Sequence, residues 1–81
     1  MRTEVDIIYQ DSGAIIFESS FRKFPSIAIQ GDTLGLLAVQ MQQAHEMIQL
    51  NDVDDELLFL IENVTSELNG LNQLYRKYGE R

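Results

Sequence analysis

The sequence contains no cysteine and only one histidine, His45. Without cysteine, the chain has no means of forming a disulfide, a thiolate metal site or a cysteine nucleophile. Zinc sites and histidine-based nucleophilic catalysis need a second member that a single histidine does not supply. The stretch from His45 to Gln49 misses the helical zinc-protease pattern, because Gln49 stands where a second histidine is required. We therefore expect no enzymatic activity, no cofactor and no metal centre.

Basic residues are also scarce. Six lysine and arginine residues oppose 13 aspartate and glutamate residues, giving a formal net charge of −7. No lysine or arginine occurs between Phe24 and Tyr75, so the helical half of the chain is acidic. Such a chain is repelled by nucleic acid and by acidic membranes, and we expect no direct contact with either. The candidate surface for a basic protein partner consists of Asp54, Asp55, Glu56 and Glu62.

Long apolar runs are absent as well. No run approaches the roughly 18 residues that a membrane span needs, and the first residues lack the apolar core of a signal peptide. These absences predict a cytoplasmic protein. The 81 residues form one predicted domain, residues 1–81. Because small domains without disulfides often enlarge their core with a second copy, we expect a homodimer.

The first third of the chain predicts three β-strands, at about residues 3–10, 14–20 and 26–30. Apolar residues alternate with polar ones in the first two segments, with Val5, Ile7 and Tyr9 expected on one face. The turn between them is predicted at Asp11, Ser12 and Gly13, because glycine permits a positive φ and the aspartate side chain bonds its own backbone. Pro25 favours an extended chain before the third strand. These strands predict an antiparallel meander.

The remainder predicts two helices, at about residues 32–50 and 54–78. Asp32 is the expected N-terminal cap of the first helix. The second helix begins at Asp52 or Asp54, of which Asp54 is preferred because it places Val53 and Leu58 at the staple positions. The first helix is expected to bury an apolar stripe of Leu34, Leu37, Ala38, Met41, Ala44 and Ile48. A heptad stripe is expected on the second, formed by Leu57, Ile61, Val64, Leu68, Leu71, Tyr75 and Tyr78. The predicted fold is therefore α+β, with two helices packed on one face of a three-stranded antiparallel sheet.

The two predicted helices differ in length, about 27 Å against about 37 Å at 1.5 Å per residue. The end of the second helix either folds back, with a possible break at Gly70, or packs on another chain. Four residues of this end form the candidate oligomer interface: Leu71, Leu74, Tyr75 and Tyr78. The sheet edge is the other candidate for the interface of the homodimer.

The stretch from Arg22 to Leu34 carries two resemblances. Its matching residues are Arg22, Phe24, Pro25, Gln30, Gly31, Asp32 and Leu34. They resemble the motif R-x-F-P-G-x-x-x-Q-G-D-S-L of a small bacterial family of unknown function, which lends no activity. Ser26 replaces the usual glycine of that motif and Thr33 the common serine.

Over its first half, the chain is also similar to HicB-type antitoxin domains, which read P-G-C-x-x-Q-G-D-T-L at the same place. Pro25 and the run from Gln30 to Leu34 carry this similarity. It implies a partial ribonuclease H-like core that neutralises a small basic RNA-cleaving toxin. The chain departs from the pattern at Ser26 and Ile27, and a long second helix replaces the expected fourth strand.

Two functional interpretations follow from the sequence. The first is a non-catalytic protein–protein interaction module, antitoxin- or immunity-like, that binds a basic partner through its acidic helices. The alternative is a small-ligand or metal-binding domain, with a pocket between sheet and helices near Asp32 and His45.

Overall fold

The computed structural model describes residues 4–79. Its elements follow in the order β1 (Asp6–Gln10), β2 (Ala14–Glu18), β3 (Ser26–Ile29), α1 (Gly31–Gln49) and α2 (Asp55–Tyr78). The strands form one antiparallel sheet in the order β1-β2-β3. The predicted α+β fold, a three-stranded antiparallel sheet followed by two helices, is confirmed. The predicted start of β1 at residue 3 lies outside the described residues.

The chain divides into two compact units. The sheet unit contains the chain up to Gln30 and from Leu71 onward, and the hairpin unit contains Gly31–Gly70. Helix α2 runs without a break through Gly70, so that its last two turns belong to the sheet unit. Different short-range interactions define the two units.

The turn between β1 and β2 is organised by the carboxylate of Asp11. Its Oδ1 accepts the backbone N–H groups of Gly13 at 2.7 Å and Ala14 at 2.8 Å. Its Oδ2 accepts the hydroxyl of Tyr9 at 2.7 Å. These bonds replace the water that an open turn would need, because the side chain satisfies backbone donors locally. The predicted turn is confirmed.

We expect the titration of Asp11 to report this turn. The hydroxyl of Tyr9, followed by the N–H groups of Gly13 and Ala14, lowers the pKa of Asp11 from its ordinary value. Because the pKa of Asp11 is lower in the folded state than in the unfolded state, its ionised carboxylate stabilises the fold above about pH 4. This stabilisation is lost as the pH falls through the lowered pKa of the folded protein.

The measurement is a carbon-detected NMR titration of the Asp11 carboxyl group. Tyr9→Phe removes the largest cause and should raise the midpoint toward the ordinary aspartate value. Ser12→Ala, in the same turn, is the control and should leave the midpoint in place. An unchanged midpoint in Tyr9→Phe would show that the phenol does not hold the carboxylate.

A β-bulge in β1 changes which side chains share a face. Ile7 pairs with Phe17, whereas Tyr9 pairs with Ile16, and the register shifts between Ile7 and Tyr9. Since neighbouring residues of β2 point to opposite faces, Ile7 and Tyr9 lie on opposite faces as well. The prediction that Val5, Ile7 and Tyr9 share one face is therefore wrong for Tyr9.

The face of the sheet that carries Tyr9 and Ile16 is covered by the end of α2. The rings of Tyr9 and Tyr78 stack with centroids 4.1 Å apart. The hydroxyl of Tyr75 donates a hydrogen bond of 3.0 Å to the carbonyl oxygen of Pro25. Ile16 is completely buried on this face. The end of α2 is thus packed within the sheet unit.

In the hairpin unit, α1 ends in a Schellman motif. Asn51 has a φ of 58°, a left-handed conformation that asparagine tolerates better than most residues. The N–H of Asp52 donates to the carbonyl of Met47, and that of Asn51 donates to Ile48. This pattern of bonds closes the helix and reverses the chain. α1 and α2 consequently form an antiparallel helical hairpin.

Helix α2 begins with the predicted cap. The Oδ1 of Asp54 accepts the N–H groups of Glu56 at 3.0 Å and Leu57 at 3.3 Å. Asp32 differs, because α1 begins at Gly31 and the Asp32 carboxylate accepts only the N–H of the next residue, Thr33. The prediction that Asp32 caps α1 is therefore wrong, because an N-cap accepts N–H groups two or three residues later. The predicted Asp54 cap is confirmed.

We expect Asp54→Ala to lower the free energy of unfolding by about 1 kcal/mol, the usual loss for an N-cap residue. Thermal unfolding followed by circular dichroism should show a fall in Tm of about 4–8 °C for a chain of this size. Asp52→Ala is the matched control, since it removes the same charge without a cap. Equal losses in both variants would show that charge alone stabilises the start of α2.

The core of the hairpin uses only part of the predicted stripes: Leu37, Ala44, Leu57 and Val64 are buried as expected. Ala44 packs with Leu57 and Leu60, and Met47 lies against this cluster. Four residues of the predicted α1 stripe are exposed instead: Leu34, Ala38, Met41 and Ile48. On α2 the predicted Ile61 and Leu68 are exposed, whereas Leu60, outside the predicted stripe, is buried. The physical reason is the small side chain of Ala44, which lets the helices approach along that line.

Candidate interaction surfaces

The connection between the helices forms an acidic tip, defined by Asp52, Asp54, Asp55 and Glu56. All four residues are exposed. The Schellman motif places the first of them beyond the end of α1, and the cap holds the others at the start of α2. The positive end of the helix dipole favours carboxylates here. The fold therefore concentrates four negative charges on one short connection, where the helix dipole offsets part of their mutual repulsion.

Two apolar side chains stand beside these charges. Leu50 is 79% exposed and Val53 is 71% exposed, the largest fractions among the large apolar residues of the described chain. Apolar groups next to several carboxylates suit a partner that combines an apolar contact with lysine or arginine side chains. The tip thus has the chemistry to bind a basic, amphipathic surface.

The other acidic residues of the hairpin unit extend the same charge. Glu62 lies seven residues after Asp55, which places both on one face of α2. The remaining acidic residues of the unit, also exposed, are Asp32, Glu46 and Glu67. Gly31–Gly70 contains no lysine or arginine that could neutralise them. The candidate surface of Asp54, Asp55, Glu56 and Glu62 is therefore exposed and lacks cationic neighbours in its own unit.

The four residues of the candidate oligomer interface lie in the sheet unit. Leu71, Leu74, Tyr75 and Tyr78 are half-buried. Tyr75 and Tyr78 make the contacts to Pro25 and Tyr9 described above. These contacts are those of a helix end packed on its own sheet, and it reaches the sheet without the predicted break at Gly70. A role in an oligomer interface stays a prediction for these four residues.

An uncovered apolar surface lies instead on the hairpin. We call it the hairpin face, and it comprises Leu34, Met41, Ile48, Ile61 and Leu68, all exposed. The three residues on α1 are spaced seven apart, as are the two on α2, and this spacing aligns them on one side of each helix. Burying the exposed half of one such side chain is worth about 1 kcal/mol. Leaving all five open therefore forgoes on the order of 5 kcal/mol.

The two halves of the hairpin face lie on the same side of the hairpin. A small cleft marks the opposite side, and its lining residues come from both helices: Thr33, Leu36, Leu37, Gln40, Asn63 and Glu67. On α1, Leu36 and Gln40 lie on the cleft side of the buried residues Leu37 and Ala44. On α2, Asn63 and Glu67 lie on the cleft side of the buried residues Leu57, Leu60 and Val64. Leu34 on α1 and Ile61 on α2 lie on the other side of these buried residues. Met41, Ile48 and Leu68 share that side because they follow at seven-residue spacing.

The comparisons with known proteins identify the family. The model of a family of unknown function, DUF6959, matches residues 1–80. The chain belongs to DUF6959. No curated protein and no solved structure shows significant similarity to this DUF6959 chain. The expectation of an uncharacterised family is confirmed, whereas the motif between Arg22 and Leu34 and the similarity to HicB-type domains stay predictions.

The cleft between the helices of the DUF6959 chain offers little to a small ligand. The cleft between the helices has a volume of about 180 Å³, below the roughly 300–1,000 Å³ typical of ligand pockets. Within residues 4–79, no three His, Cys, Asp or Glu side chains are grouped so that they could hold a metal ion. In the same range, no helix has the length and apolar character to cross a bilayer. A more open depression beside β1 and β2, lined by Glu4, Asp6 and Glu18 among others, has about 440 Å³ and reaches the range of ligand pockets. The ligand alternative therefore stays a prediction.

Proposed function

We propose that this chain is a non-catalytic protein–protein interaction module whose acidic tip binds a basic partner. The observation that carries the proposal is the placement of four exposed carboxylates beside exposed Leu50 and Val53. Because no basic residue occurs in Gly31–Gly70, a partner's lysine and arginine side chains meet no competing cation in that unit.

The electrostatics set the character of this interaction. A chain with a net charge of −7 attracts a cationic partner from a distance and accelerates their encounter. The carboxylates of the tip lie in solvent, so that salt screens them strongly over about 8–10 Å. Binding through the tip is therefore fast and weakens as salt is added. The biological role that fits is antitoxin- or immunity-like, in which the module covers a basic surface of another protein.

The test uses a synthetic amphipathic helical peptide of leucine and lysine as the basic probe. Amide shifts of the isotope-labelled protein should concentrate at residues 50–57, and added salt should weaken the binding. The triple variant Asp52→Asn, Asp55→Asn, Glu56→Gln retains the Asp54 cap, and we expect it to bind about tenfold more weakly or worse.

The matched control is Asp32→Asn, Glu46→Gln, Glu67→Gln, which removes the same charge from exposed positions outside the candidate partner surface. It should bind more tightly than the tip variant. Equal weakening by both triple variants would refute a specific tip site, and an absence of binding by the wild type would refute the proposal. A pull-down with the tip variant as bait then separates tip-dependent natural partners from background.

A further inference from the structure

The hairpin face has no charged neighbours along its own stripes. Between its members, at three- and four-residue spacing, lie Ala38 and His45 on α1 and Thr65 on α2. None of these is an acidic residue, a lysine or an arginine. The acidic tip and the hairpin face therefore differ in chemistry, and a strongly basic partner has no charge to pair with on the hairpin face.

We propose that the hairpin face binds the same face of a second copy of this chain. A surface that is apolar and uncharged is complementary to itself, as a two-fold symmetric interface requires. Two helical hairpins that join in this way form a four-helix arrangement, with heptad-spaced residues at its centre. The predicted homodimer is thus assigned to the hairpin rather than to the sheet edge or the end of α2.

The size of the face sets the strength of the interaction. From Leu34 to Ile48 it extends about 21 Å, at 1.5 Å per residue. Two helices packed about 8–10 Å apart make it roughly 20 Å wide. The footprint is on the order of 400 Å² per copy, or about 800 Å² in total, which is below the standard size and typical of weak, transient association. A dissociation constant in the micromolar range is therefore expected, on the order of 1–100 μM.

Salt distinguishes this proposal from the function proposed above. Two chains that each carry a net charge of −7 repel one another, and added salt screens that repulsion. Self-association should therefore become tighter as salt rises, whereas binding of a basic probe by the tip should become weaker. The two proposals can fail independently, because they depend on different residues and respond to salt in opposite directions.

The experiment is sedimentation equilibrium of the full chain over a concentration range that spans the expected dissociation constant. Met41→Lys places a charge at the centre of the hairpin face, and Val39→Lys places the same charge on another side of α1. The two side chains are similarly exposed, at 45% and 55%. We expect Met41→Lys to weaken self-association at least about tenfold relative to Val39→Lys.

A cysteine trap provides a second readout that does not depend on an added charge. Because the chain has no cysteine, Met41→Cys and Val39→Cys each introduce a single thiol. Oxidation should cross-link the Met41→Cys protein into dimers much faster than the Val39→Cys protein. A wild type that stays monomeric at the highest concentration would overturn the proposal. So would equal behaviour of the Met41 and Val39 variants in both assays.

Discussion

Replacing Ile16 with alanine is expected to lower the free energy of unfolding by about 2–4 kcal/mol. Ile16 is completely buried at the centre of β2, paired with Tyr9 on one side and Ile27 on the other. Truncation removes apolar contacts and leaves a cavity that the strand pairing keeps from collapsing. A chain of this length has a total stability of roughly 4–12 kcal/mol, so the loss is a large share of it.

Ile15→Ala is the matched control for this change. It removes the same atoms from the next residue along β2, on the exposed face of the sheet. We expect a loss below about 1 kcal/mol, as is usual where a side chain keeps much of its contact with solvent. Urea unfolding followed by circular dichroism gives both values. A larger loss at Ile15 would show that the covered face of the sheet had been assigned to the wrong side.

Leu60→Ala should have an effect of similar size in the hairpin unit, about 2–4 kcal/mol. Leu60 is buried against Ala44 and Leu57 between the two helices. Phe59→Ala removes a larger side chain at the adjacent, exposed position and should cost well under 1 kcal/mol. The comparison tests directly which line of α2 faces α1.

Urea unfolding at a protein concentration below the expected dissociation constant of the dimer keeps self-association out of this measurement. A smaller loss for Leu60→Ala than for Phe59→Ala would contradict the helix–helix packing described here. The m-value should be similar in both variants, because neither substitution changes how much surface unfolding exposes.

Features set by short-range chemistry could be predicted from the sequence. Asp11 bonds backbone donors two and three residues later, and Asp54 does the same at the start of α2. Pro25 precedes the third strand as its restricted φ requires. In each case the cause and its effect lie within a few residues, so no knowledge of the tertiary structure was needed.

Features that depend on tertiary packing could not be predicted in the same way. The bulge after Ile7 depends on how β1 meets β2, and strict alternation gives no sign of it. α1 is apolar over most of its circumference, so periodicity alone does not select one stripe. Ala44 decides the packing because of its small size, and its exposure is only 1%.

Of the two candidate surfaces, one could be predicted from the sequence and the other could not. The acidic tip is visible in the sequence as a run of carboxylates. The hairpin face is not, because Leu34 and Met41 had been assigned to the core by the spacing that apolar core residues show. The sequence did contain one signal of this face. α1 has more apolar residues than one helix-to-helix contact can bury, since it also carries Leu36, Leu37, Val39, Met47 and Ile48.

The passage of α2 through both units has a consequence for the order of folding. The hairpin unit is one continuous stretch, Gly31–Gly70, whose contacts close short loops and form quickly. The sheet unit joins Pro25 to Tyr75, which are 50 residues apart. During synthesis the strands leave the ribosome first, yet their covering helix turns arrive after the whole hairpin. The segment that is made first is therefore completed last, and its strand edges stay open to other chains until then.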